Sequence, residues 1–317
     1  MTTLNELWLG AVRELQKSEV EDSRLGPVRA ARGFFTKLDS RFCILTSPIR
    51  KMSLSYAAAE TLWYLFGDPH VEMIRFYAKM YDQLAELDGT FHGHYGHRWL
   101  YYDQFTELIT LLRGAKNTRQ AVLSMWHPSD LQKINQKVTK NVPCTLNLQF
   151  HVEREFLHCI GTMRSNDVWL GMPYDIFAFT QVQGFLAELL ELLPGIYVHQ
   201  VGNLHLYEKN NPTLKERENL GEAIARTFAP DTVSWDHRLQ LAAKWEEKFR
   251  KYPQSHSPIW EEIDSVYQER PCRLPFLVGL AYLRACKVHQ TKVNKSVLTY
   301  VPEKLVELEM QWQSLSY

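Results

Sequence analysis

A chain of 317 residues, 45% of them hydrophobic, has enough apolar side chain for a large core in one domain or two. Its 36 basic and 36 acidic side chains cancel, which excludes the positive field of a surface for nucleic acid or an anionic membrane and leaves any anion site to be built locally. Five cysteines (Cys43, Cys144, Cys159, Cys272, Cys286) are odd in number and lack metal spacing; with no signal peptide and no bilayer-length apolar run, they predict a reducing cytoplasm.

Thr3 and Glu6 form a capping box, and Leu4, Leu7, Ala11, Val12 and Leu15 recur at helical spacing, so the chain opens on an amphipathic helix. Gly26 and Pro27 then break a loop that carries Arg24 and Arg29. Ser53 to Phe66 is apolar and rich in helix formers, with Gly67 placed to end a buried helix. Glu60 lies inside it, and a carboxylate there must be paired, hydrated or functional. Another helix is expected from Asp68-Pro69, with Val71, Ile74, Tyr77, Met80 and Leu84 on one face. His92, His94 and His97 lack the spacing of a metal site, and no acid completes one, so no metal is expected. Asp103 to Leu112 reads as a helix with Phe105, Leu108, Ile109 and Leu112 inward, ended by Gly114. Ser129 to Lys137 is helix-like.

Leu146, Leu148, Phe150 and Val152 alternate with period two, which predicts a strand with Cys144 on the face of Leu146 and Leu148. A second alternating run, Phe156 to Arg164, follows the polar Glu153-Arg154-Glu155, so the two form a hairpin that returns Arg164 towards Cys144. Cys144 reads either as a small buried hydrophobe or as a thiol whose thiolate is favoured by the guanidinium. Phe177 to Leu193 reads as a helix ended by Pro194-Gly195, and a strand from Ile196 puts His205 and Tyr207 on one face. Asp236 to Lys251, Leu274 to Val288 and Lys304 to Trp312 read as helices.

Several of these segments together resemble the thymidylate synthase family: Pro143-Cys144, Arg164-Ser165-Asn166-Asp167, Gly171-Met172-Pro173-Tyr174-Asp175, Glu60 to Asp68, Tyr95-Gly96-His97-Arg98-Trp99, and Gly202-Asn203-Leu204-His205-Leu206-Tyr207. The resemblance spans about Arg41 to Asn211. It implies an α+β fold with a large twisted mixed sheet flanked by helices, a catalytic domain over residues 1–211, and a mainly helical extension over 212–317 packed on it. It also implies Cys144 as nucleophile, Glu60 as manager of protons and water, Tyr95 beside the nucleophile, and Asp167 as organiser of the site. Arg164 and Ser165 would hold phosphate, with Arg24 matching the family's N-terminal arginine by position. His205 and Tyr207 would bind a sugar hydroxyl. Arg119 would cross a homodimer interface to the neighbour's phosphate, where Gln120 replaces the family's second arginine; Lys133 reads either as a solvated surface lysine or as a substitute charge.

Asp175 stands where synthases carry asparagine, as in the deoxycytidylate hydroxymethylase branch. That resemblance implies a cytidylate 5-hydroxymethylase using 5,10-methylenetetrahydrofolate, with CMP slightly favoured over dCMP. A thymidylate synthase tolerant of Asp175, or a non-catalytic binding paralogue, are the alternatives.

Overall fold

The computed structural model describes residues 2–100, 103–139, 141–214, 220–229, 234–252 and 256–312. The chain forms two compact units: Met1–Met52, Arg98–Asn135 and Val142–Arg226 make the first, and Ser53–His97, Gln136–Asn141 and Thr227–Tyr317 the second.

The first unit begins with α1 (Leu4–Gln16), whose capping box is formed as expected: Glu6 N donates to Thr3 Oγ1, and Thr3 N donates to Glu6 Oε2. Its strands are β1 (Val20–Glu21), β2 (Val28–Asp39), β3 (Val122–Ser124), β4 (Thr145–Glu153), β5 (Phe156–Met163), β6 (Asn166–Asp167) and β7 (Leu193–Tyr207). Among the described residues they make one seven-stranded mixed sheet in the order β1-β2-β7-β5-β4-β3, with β6 paired to β7.

The β4–β5 hairpin forms as the alternation predicts, from Glu153↔Phe156 at the turn to Thr145↔Met163 at the open end. One expectation fails. A bulge between Thr145 and Asn147 shifts the register, and the buried positions change from odd (Thr145) to even (Leu148, Phe150). The common face expected for Cys144, Leu146 and Leu148 is therefore not kept, and Leu146 is only half-buried.

β5 and β7 run parallel, which requires a long crossover, and the next helix supplies it over Met172–Leu189. That helix starts five residues before the expected Phe177, because Pro173 in the first turn forfeits no helical hydrogen bond. It also stops earlier: Glu191 adopts a left-handed φ of 55° and Leu192 N bonds back to Ala187 O, so Pro194 and Gly195 belong to the strand. Two further helices of this unit are Gln104–Gly114, with the expected inward residues buried, and Pro128–Asn135.

The second unit is built on α2 (Leu54–Phe66), capped by Ser53 and ended by Gly67 at φ 74°, as the sequence indicates. The helix expected after Pro69 does not form continuously. Backbone bonds from Val71 to Gly89 and from Phe91 to Pro69 tie its start to another segment, leaving a 3-10 turn at Ile74–Phe76 and α3 (Tyr81–Leu84). Met80, expected inward, is exposed, and Tyr81 takes the buried place.

Continuing in chain order, α4 spans Tyr95–Leu100, α5 and α6 are Gln104–Gly114 and Pro128–Asn135, and α7 is the crossover Met172–Leu189. Then come α8 (Trp235–Lys251), α9 (His256–Tyr267), α10 (Arg273–Val288) and α11 (Glu303–Trp312). Helices α8, α10 and α11 pack against α2. The buried Glu309 of α11 accepts from Leu54 N at 2.6 Å and from the hydroxyls of Ser53 and Ser55, so a helix near the end of the chain caps the start of α2.

Candidate functional site

In the first unit the hairpin brings Arg164 to Cys144. Arg164 N donates to Cys144 O at 2.9 Å, and the guanidinium lies 3.6 Å from Cys144 Sγ. The same side chain donates to Pro143 O at 3.0 Å and sits over the Trp126 ring. The guanidinium does favour the thiolate, as the sequence reading has it, but two other effects oppose it. Burial pushes the Cys144 thiol above its ordinary 9.0 against the pull of Arg164, and the Asp175 carboxylate pushes it the same way.

Beyond Arg164, Ser165 leads into β6, and Asp167 closes a turn by accepting Trp169 N at 2.8 Å and Leu170 N at 3.0 Å on Oδ1. Its other oxygen, Oδ2, is buried and has no hydrogen-bond partner among the described residues. Arg50, not singled out by sequence reasoning, is buried beside this turn, donating to Trp169 O at 2.8 Å and lying over the Trp169 and Tyr174 rings. Asp175 stands in the first turn of α7, half-buried, and its Oδ2 accepts from Asn166 Nδ2 at 2.7 Å.

His205 pairs in register with Asp167, and its ring meets Tyr207 edge-on at 5.3 Å, so period two does place both on one face. Tyr207 pairs with Val28 at the start of β2. Arg24 is exposed on the turn that precedes β2, and Arg119 is exposed just ahead of β3. No contact among the described residues joins either arginine to Cys144 or Arg164.

Glu60 and Tyr95 belong to the second unit. Glu60 is buried, and its Oε1 accepts from Tyr56 and Tyr81 hydroxyls, both at 2.6 Å. Burial raises its pKa above the ordinary 4.5, opposed by the hydrogen bonds of Tyr56, Tyr81 and Tyr64. Sequence reasoning missed this tyrosine cage, though Tyr56 stands one helical turn before Glu60 and so shares its face. Tyr95 is buried against the Tyr64 ring at 5.0 Å.

Within the first unit, then, the structure brings together Cys144, Arg164 and Asp175, holds Asp175 to Asn166 of β6, and pairs the neighbouring Asp167 with His205, whose ring meets Tyr207. The thymidylate synthase family model matches residues 28–233, nearly two thirds of the chain. This span contains the hairpin, the β6 turn and the end of β7, and the chain belongs to the thymidylate synthase family.

Proposed function

We propose that this member, in a family that transfers one-carbon units to pyrimidine nucleotides, is a cytidylate 5-hydroxymethylase, with CMP preferred slightly to dCMP. The observation that carries the reading is Asp175: a carboxylate in the first turn of α7, held at one oxygen by Asn166 and near enough to Cys144 to act on its thiol. Cytosine offers an exocyclic amine as donor and N3 as acceptor, the reverse of uracil, and a carboxylate takes the amine hydrogen.

The family's one-carbon donor is methylenetetrahydrofolate, and one feature of this chain fits it. Asp167 Oδ2, buried and unpartnered among the described residues, suits the N–H donors of an amino-pyrimidinone ring. When bound, that group supplies a methylene carbon at the oxidation level of formaldehyde. Cys144 adds as thiolate to C6 of the pyrimidine, which makes C5 nucleophilic, and leaves again after C5 is substituted. Arg164 offsets the negative charge at the sulfur, and with Ser165, Arg24 and a partner protomer's Arg119 it meets the phosphate. His205 and Tyr207 hold the sugar. The family resemblance gives Glu60, caged by its tyrosines, the handling of the water that adds to the exocyclic methylene, and gives Tyr95 a supporting part in catalysis. The products are 5-hydroxymethylcytidylate and tetrahydrofolate, with no oxidation of the folate. Residues 1–211 carry this chemistry in a cytoplasmic homodimer, and 212–317 form a helical extension.

Side-by-side assay of CMP, dCMP and dUMP with methylenetetrahydrofolate tests the proposal, following C5 tritium release and dihydrofolate absorbance. Release from a cytidylate without dihydrofolate is the expected result. Dihydrofolate formed from dUMP would make the protein a synthase, and no release from any nucleotide would make it a binding paralogue.

A further inference from the structure

We propose that Tyr197, His199 and Asn166 form a buried positioning relay that fixes Asp175 Oδ2 as a hydrogen-bond acceptor and thereby sets the protein's preference between pyrimidine bases. The inference deepens the cytidylate reading and rests on Asp175 facing the base.

Four side chains from three elements stand in line. Tyr197 OH lies 3.0 Å from His199 Nδ1, His199 Nε2 lies 3.2 Å from Asn166 Oδ1, and Asn166 Nδ2 lies 2.7 Å from Asp175 Oδ2. Tyr197 and His199 are fully buried on one face of β7, and Asn166 is 4% exposed on β6. The backbone makes room for both ends. A Cβ on Gly161 would come within 2.3 Å of the Tyr197 hydroxyl, and one on Gly171 would crowd Asn166 Nδ2 at 3.0 Å and Asp175 Oδ2 at 3.2 Å.

The polarity of this chain follows from its two ends. An ionised carboxylate only accepts, so the Asn166 amide nitrogen must face it and the amide oxygen must face His199. His199 then carries its proton on Nε2, and Nδ1 is left to accept from the tyrosine hydroxyl. Burial keeps this imidazole neutral, with its value down to about 3. A proton on Oδ2 would require the amide, the imidazole tautomer and the hydroxyl to reverse together. The proton that cytosine N3 needs is thereby confined to the base side of the Asp175 carboxyl group.

A relay that merely satisfied buried polar atoms would affect folding without affecting base choice, so the readout is discrimination. The ratio of kcat/KM for cytidylate and uridylate is measured in wild type, His199→Phe, His199→Gln and Tyr197→Phe, with Tm recorded for each. His199→Phe keeps a ring but removes both nitrogens, and it should lower the preference about tenfold or more. His199→Gln restores a donor for Asn166 and should recover most of the loss. In an Asp175→Asn background, His199→Phe should leave the ratio within about twofold, because the group it positions is gone. Should His199→Phe not fold, Tyr197→Phe, which removes one hydroxyl, should still lower the preference by about threefold. A ratio unchanged in the folded variants, or changed equally in the Asp175→Asn background, overturns the relay. If wild type prefers uridylate, the cytidylate reading fails instead, and the relay is judged by whether that preference collapses in the same variants.

Discussion

Burial raises the pKa of the Cys144 thiol against the pull of the Arg164 guanidinium 3.6 Å away. Cys144→Ser should cut kcat by about three decades or more, because a hydroxyl ionises far less readily, while the nucleotide Kd stays within about threefold. Residual turnover near wild type would remove Cys144 from the nucleophile's place. Asp175→Asn replaces an acceptor by a side chain that donates to O4 and accepts from N3–H of uracil together. Two mismatched buried contacts should move the cytidylate-to-uridylate ratio of kcat/KM by about two to four decades. Glu60 connects chemistry with stability. Its folded value lies above the ordinary 4.5 because burial outweighs the tyrosine hydrogen bonds, so the native state keeps this proton after the unfolded chain has lost it. Raising the pH through the range just above 4.5 therefore costs stability through this group, a loss that levels off once both states are ionised. Urea titrations across that range should show a smaller loss in Glu60→Gln than in wild type, and parallel curves would contradict the burial argument.

Among the elements, those legible in the sequence had local causes. Helix α2 was readable from Ser53, its apolar run and Gly67, and the β4–β5 hairpin from two alternating runs around a polar turn. The start of α7 was misread because a proline that opens a helix looks like one that ends a loop. The bulge before Asn147 left no mark in the alternation, and the segment after Pro69 was diverted from a helix by backbone bonds to residues 89–91. The candidate site divides in the same way. Cys144, Arg164, Asp167, Asp175, His205 and Tyr207 are legible as candidates because motifs carry them, whereas Asn166, His199 and the tyrosines around Glu60 gain meaning only from partners outside any motif. Glu309 is such a partner for α2: it accepts a backbone amide and two hydroxyls where the helix dipole favours negative charge. Glu309→Ala should destabilise the protein by about 1–3 kcal/mol in urea unfolding, and an unchanged midpoint would remove it as a cap.

For the whole molecule, the family's typically dimeric state gives Arg119 its test. It is exposed on its own protomer, and the proposal sends it to the neighbour's phosphate. Mixing Arg119→Ala with Cys144→Ser protomers should then restore activity well above either parent, because a hybrid dimer contains one site with an intact thiol and a partner's intact arginine. A mixture no more active than its parents would place Arg119 in its own site or in none. Synthesis order gives the contact between Glu309 and α2 a further consequence. The amide of Leu54 leaves the ribosome 255 residues ahead of the carboxylate that caps it, so the helix bearing Glu60 is made long before its cap. Emergence of α11, and not of α2, is when that helix is completed, and a message cut short before α11 would yield a protein with every motif of the candidate site and an unfinished support for its buried acid.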